Sequence, residues 1–100
     1  MKYLLSWVAR PGSVTEETQA RGLQVFSKWA PSPDVTFEQF LGRVDSQGGY
    51  AVVSTEDAHA IARDMAIFST WFEMSVVPVL DITDSTAAAI GAVEFRGSVS

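Results

Sequence analysis

The sequence predicts a single α+β domain: a four-stranded antiparallel sheet that carries two helices on one face and leaves the other face bare. Three observations predict it. Apolar-periodic segments follow in the order strand, helix, strand, strand, helix, strand. The strand-like segments are apolar on both sides in their middles, yet only two long helical patterns exist to cover them. The strands also differ in polarity in a way that separates centre from edge.

The first strand, Lys2 to Ala9, places Tyr3, Leu5 and Trp7 on one side and Leu4, Ser6 and Val8 on the other, so neither side suits water. Pro11-Gly12 turns the chain, and Ser13 stands three residues before Glu16, the spacing of a capping box. A helix is expected from about Val14 to Ala30, with Leu23, Phe26 and Ala30 inward, widened by Val25 and Trp29. Pro31 and Pro33 stop it, because proline lacks the amide donor and clashes with the preceding turn.

Val35 to Val44 alternates as a second strand and is the most polar of the four, with Thr36, Glu38, Gln39 and Arg43. The connection Asp45-Ser46-Gln47-Gly48-Gly49 closes a hairpin onto Tyr50 to Ser54, and its two glycines are expected to supply the positive φ. Thr55 or Ser54 caps the second helix, with Glu56 and Asp57 in the first turn, where the dipole favours negative charge. Its stripe is predicted as Ala58, Ile61, Ala62, Met65, Phe68 and Phe72, with Trp71 beside it.

Met74 to Leu80 forms the fourth strand, and Pro78 confines it to an edge or a bulge. Thr83 or Asp84 starts a short Ala-rich helix to about Ala92, and residues 93–100 read as a tail of uncertain order. Right-handed crossovers then give the strand order 4-1-3-2, the ferredoxin-like βαββαβ arrangement, with the two most apolar strands in the centre. The uncovered face carries an apolar patch at or beyond the size monomers tolerate, so a homodimer through that face is expected.

Composition narrows the function classes. One hundred residues, 47% of them hydrophobic, suffice for one cored domain. The net charge is −5, and the seven basic residues (Lys2, Arg10, Arg21, Lys28, Arg43, Arg63, Arg96) form no stripe, which argues against nucleic acid as a partner. The lack of cysteine rules out disulfides, thiolate metal sites and a cysteine nucleophile, and fits a reducing compartment. The apolar run after Lys2 is broken by Ser6 and ended by Arg10-Pro11 with no small-x-small cleavage site, so it reads as a strand and not a secretory leader. No run approaches the roughly 18 apolar residues of a membrane span. A cytoplasmic protein without a membrane partner is expected.

Three stretches also resemble a family of small bacterial proteins known as a domain of unknown function. They are Phe40-Leu41-Gly42-Arg43, then Gly48 to Asp57, then Trp71-Phe72-Glu73-Met74-Ser75-Val76-Val77-Pro78-Val79-Leu80-Asp81; Met1-Lys2-Tyr3-Leu4 and Pro11-Gly12 fit as well. The resemblance runs to about Asp81. It implies the dimeric α/β barrel superfamily, which includes cofactor-free monooxygenases, isomerases, decarboxylases and stress-response proteins, and it implies no single activity. Members of the family often carry an aromatic residue and a His after the Gly-Arg pair; Val44 and Asp45 stand there in this chain.

No catalytic or cofactor motif declares itself: there is no P-loop, G-x-G-x-x-G, G-x-S-x-G or H-E-x-x-H pattern, so no cofactor and no metal are expected. His59, the single histidine, shares a helix face with Arg63, Ala66 and Thr70 and reads as exposed. Arg43 either orients a ligand carboxylate or is an edge charge paired with Glu38 or Asp45. Glu38 is either a base beside an apolar pocket or an edge-strand charge. Asp81, Thr83, Asp84 and Ser85 offer oxygens to a hard cation, but helix capping explains them without one.

Trp7, Arg43, Tyr50 and Trp71 are the candidate ligand-binding residues, the aromatics suiting a flat molecule between sheet and helices. Three functions fit: a homodimeric small-molecule binder of apolar or aromatic ligands, a cofactor-free monooxygenase or isomerase with unknown catalytic residues, and a protein-interaction module.

Overall fold

The structure, a computed structural model, describes residues 1–12 and 15–99. The elements are β1 (Lys2–Ala9), α1 (Glu16–Lys28), β2 (Thr36–Gly42), β3 (Gly48–Ser54), α2 (Ala58–Phe68), β4 (Phe72–Val79) and α3 (Ile82–Ser98). The strands form one antiparallel sheet ordered β2-β3-β1-β4. This is the ferredoxin-like α+β fold. Apolar β1 and β3 take the centre, and polar β2 and proline-bearing β4 take the edges, where a missing ladder donor does least harm.

Strand alternation then sorts the side chains. Leu5 stands opposite Ala51 and Val76, Trp7 opposite Gly49 and Met74, and this face meets the helices. Leu5, Val35, Ala51 and Val53 bury themselves against Ala60 and Ile61 of α2, with Tyr3, Trp7, Phe37 and Met65 packed around them. Leu5 is 1% exposed, and burying a side chain of that size contributes about 1.5–3 kcal/mol. The opposite face carries Leu4, Val8, Leu41, Tyr50 and Val77, all exposed.

Four local details differ from the sequence reading. The capping box of α1 is Thr15 with Thr18, each side chain serving the other's backbone, and the helix starts at Glu16; the expected cap, Ser13, lies outside the described residues. In α2 Asp57 is the N-cap, its side chain accepting from the His59 N–H, and the buried set is Ala60, Ile61, Asp64 and Phe68. Ala58 and Ala62 are exposed, and Phe72 belongs to β4. Alanines on every side of this segment leave the phase of the helix undecided by spacing alone.

The hairpin turns on Ser46 at φ 63°, and neither Gly48 nor Gly49 is left-handed. Those glycines answer a different need, the close approach of Trp7. Last, α3 continues to Ser98, so the segment read as a tail is helical through that residue. It buries no residue; the molecule measures 63 Å along its longest axis. No helix among the described residues is long and apolar enough to cross a membrane.

Candidate functional site

Helix α1 has an apolar face yet buries none of its residues: Leu23 is 63% and Phe26 48% exposed. The reason lies in what stands beneath it. At one end the Trp29 ring meets Phe68 edge-on at 5.2 Å, Phe37 at 6.1 Å and Phe40 at 6.3 Å, and Phe26 meets Phe40 at 6.1 Å. Those rings hold the helix away from the sheet. Further along, the helix presents Gly22, where an added Cβ would lie 3.8 Å from the Trp71 ring. A cavity of about 640 Å³ remains between α1 and the sheet, within the size range of small-molecule sites.

Its floor is Leu5, Trp7 and Met74 of the sheet, and Met65, Phe68 and Trp71 form the side toward α2. Trp7 lies across the start of β3 because Gly49 has no side chain: a Cβ there would come 2.5 Å from the Trp7 ring and would also strike the Leu41 carbonyl oxygen. A Cβ at Gly48 would strike the Trp7 backbone carbonyl. Trp7 and Phe40 then meet edge-to-face at 5.6 Å, a favoured aromatic geometry.

Polar groups gather at one end. Thr18 and Gln19 come from the first turns of α1, and Ser46 and Gln47 from the hairpin turn; both sit where β1 ends, since the Ala9 N–H donates to the Gln47 carbonyl at 2.8 Å. None of the lining side chains among the described residues is ionisable. The arrangement can hold a flat apolar body and offer neutral hydrogen bonds at one tip.

The frame is braced from behind by Asp64, a buried carboxylate of α2. It accepts from the Ser32 N–H and hydroxyl, each at 3.1 Å, and from the Trp29 indole N–H at 3.4 Å. This fixes both the α1–β2 connection and one wall of the cavity.

Of the four residues singled out from the sequence, Trp7 and Trp71 line the cavity. Tyr50 lies on the other face of the sheet, between Ser6 and Leu41. Arg43 sits in the hairpin, its guanidinium on the Asp45 carboxylate. The Gln47 backbone amide and then that guanidinium hold the Asp45 carboxyl below the usual carboxylate range.

Glu38 also faces away from the cavity: it accepts from the Ser54 hydroxyl at 3.0 Å and lies 3.7 Å from the Lys2 ammonium. His59 is exposed. Asp81 pairs with Lys2 at 2.9 Å, and this hydrogen bond with its charge attraction lowers the pKa of Asp81 and raises that of Lys2.

A family model described as a domain of unknown function, DUF3303, matches residues 1–93. The chain belongs to the DUF3303 family. The match takes in the whole sheet, α1, α2 and most of α3 of this DUF3303 protein. No curated protein matches it. Among solved structures it is similar to SCO4226 from Streptomyces coelicolor A3(2), at 18% identity and a TM-score of 0.42, over 79% of this chain and 99% of that one.

Several residues of the DUF3303 site escape a reading by pattern. Asp64 falls at the spacing of the buried stripe, three after Ile61 and four before Phe68, and a carboxylate in such a stripe is the available signal. Gln19 and Gln47 have no such mark. They matter only because the fold brings the start of α1 beside the hairpin.

Proposed function

We propose that this protein binds a small, flat, apolar or aromatic molecule in the cavity between α1 and the sheet. The observation that carries the reading is a cavity of about 640 Å³ bordered by Trp7, Phe26, Phe40, Phe68, Trp71 and Phe72. Close-packed interiors leave few voids larger than a water molecule, and a space of that size beneath the apolar face of α1 suits an occupant. A cofactor-free enzyme, one of several activities found in the superfamily the chain resembles, gains rate from an acid or base beside its substrate, and no described lining residue is ionisable.

We also propose a homodimer in a reducing, cytoplasmic setting. The open face exposes Leu4, Val8, Leu41, Tyr50 and Val77 together, and two copies placed face to face withdraw those side chains from water. Light scattering is expected to give twice the chain mass, and Val77→Asp to give the single chain; a single-chain mass for the parent protein sinks the dimer.

Ligand binding is tested by native mass spectrometry of the purified chain before and after denaturation. The expected result is a mass increment that denaturation releases and that Gly22→Leu, which projects a side chain into the cavity toward Trp71, no longer carries. A bare parent chain, or an increment that Gly22→Leu retains, counts against this site.

A further inference from the structure

We infer that the cavity selects electrically neutral aromatic molecules with one hydrogen-bonding tip and rejects their carboxylates, an inference that rests on the cavity being a ligand site at all. The lining combines aromatic rings with neutral polar ends: the amides of Gln19 and Gln47 and the Ser46 hydroxyl, the Thr18 hydroxyl being taken up by the Thr15 cap. Amides and hydroxyls both donate and accept, so they match an alcohol, phenol, ketone or amide on the ligand. They do not neutralise a charge.

The two guanidinium groups that flank this end of the fold are already engaged. Arg10 donates from Nε to the Ser69 carbonyl at 2.8 Å, and Arg43 is paired with Asp45. The start of α1 is a further electropositive feature at this end, and its own residues answer it. Thr15 and Thr18 satisfy each other's backbone groups, and Glu16 and Glu17 occupy the first turn, directly before the lining residues Thr18 and Gln19. Acidic side chains there offset the positive end of the helix and repel an incoming anion. A carboxylate that enters thus gives up its water and meets no cation, the costly case for burying charge.

The experiment is calorimetric titration of the full chain with two ligands that share a ring system, 2-naphthalenemethanol and 2-naphthoate. At neutral pH the alcohol is expected to bind saturably and the carboxylate at least about tenfold more weakly. Lowering the pH below the ligand's own pKa makes the acid neutral, so the gap is expected to close; exclusion by shape alone does not move with pH. Gly22→Leu is expected to abolish binding of the alcohol.

Equal affinities at neutral pH, or tighter binding of the carboxylate, overturn the charge selection and leave the cavity reading standing. A gap that persists in acid also overturns it, in favour of shape. Binding of neither ligand, or binding that Gly22→Leu leaves intact, overturns the cavity reading and this inference with it.

Discussion

The carboxylate of Asp64 accepts both the backbone N–H and the hydroxyl of Ser32, each at 3.1 Å, and so ties the middle of α2 to the segment that joins α1 to β2. At 4% exposure it has almost no contact with water, and its partners are what make that position tolerable.

Replacing it by Leu leaves the Ser32 amide and the Trp29 indole without an acceptor. Asp64→Leu is expected to cost about 2–4 kcal/mol in denaturant unfolding, and Asp64→Asn, which keeps an acceptor oxygen, less than half of that. Equal losses in the two variants contradict the hydrogen-bonding role.

Gly49 and Trp7 make a second coupled pair. Gly49→Ala is expected to destabilise by about 1–3 kcal/mol through overpacking against the Leu41 carbonyl oxygen and the Trp7 ring. Trimming the ring in a Trp7→Phe/Gly49→Ala double variant is expected to lose less than the sum of the single losses. Strict additivity shows that the ring is not what excludes a side chain at this position.

The left-handed backbone of Ser46 at φ 63° is a conformation that residues with a Cβ adopt at a cost of about 1–2 kcal/mol. Ser46→Gly removes that strain but loosens the unfolded chain, leaving an expected gain of about 0.5–1 kcal/mol. The urea midpoint is expected to rise with an unchanged slope. A fall in the midpoint argues that the Ser46 side chain makes a contribution larger than the strain.

The tie between Lys2 and Asp81 sets a pH window. The folded pKa of Asp81 is lowered, so its contribution is complete above the ordinary carboxylate value and is lost as pH falls through the lowered one. The folded pKa of Lys2 is raised, so its share is complete below the ordinary lysine value and is lost as pH rises through the raised one. Amide protection of Asp84 and Ser85, whose N–H groups donate to the Asp81 carbonyl at 3.0 and 3.2 Å, is expected to drop in strong acid and again in strong alkali. Asp81→Asn is expected to flatten both steps; a profile unchanged by that substitution removes the ion pair from the account.

The strand order was legible because burial on both faces writes itself into composition: Leu4 and Leu5 or Val52 and Val53 side by side mark a central strand, and Pro78 marks an edge. Which parity of each strand meets the helices was not. Tyr50 and Ala51 are equally compatible with either side, and a one-residue choice reverses every assignment; this is why Tyr50 falls on the bare face and Trp7 in the cavity.

The hairpin glycines stand out in the sequence, but close approach of a ring and positive φ both ask for glycine, and the pattern alone does not separate the two needs. The extent of α3 is hidden because the whole helix buries nothing, so no apolar stripe marks its end, and the alanines that signal it stop at Ala92. The polar tip of the cavity had no local mark at all, because Gln19 and Gln47 become neighbours only through the closure of the sheet.

All three tryptophans of the chain, Trp7, Trp29 and Trp71, border the same cavity. Their emission is therefore a built-in optical gauge of how full that space is, with no indole elsewhere in the sequence to dilute the signal. A screen of unlabelled compounds needs nothing beyond the protein's own fluorescence.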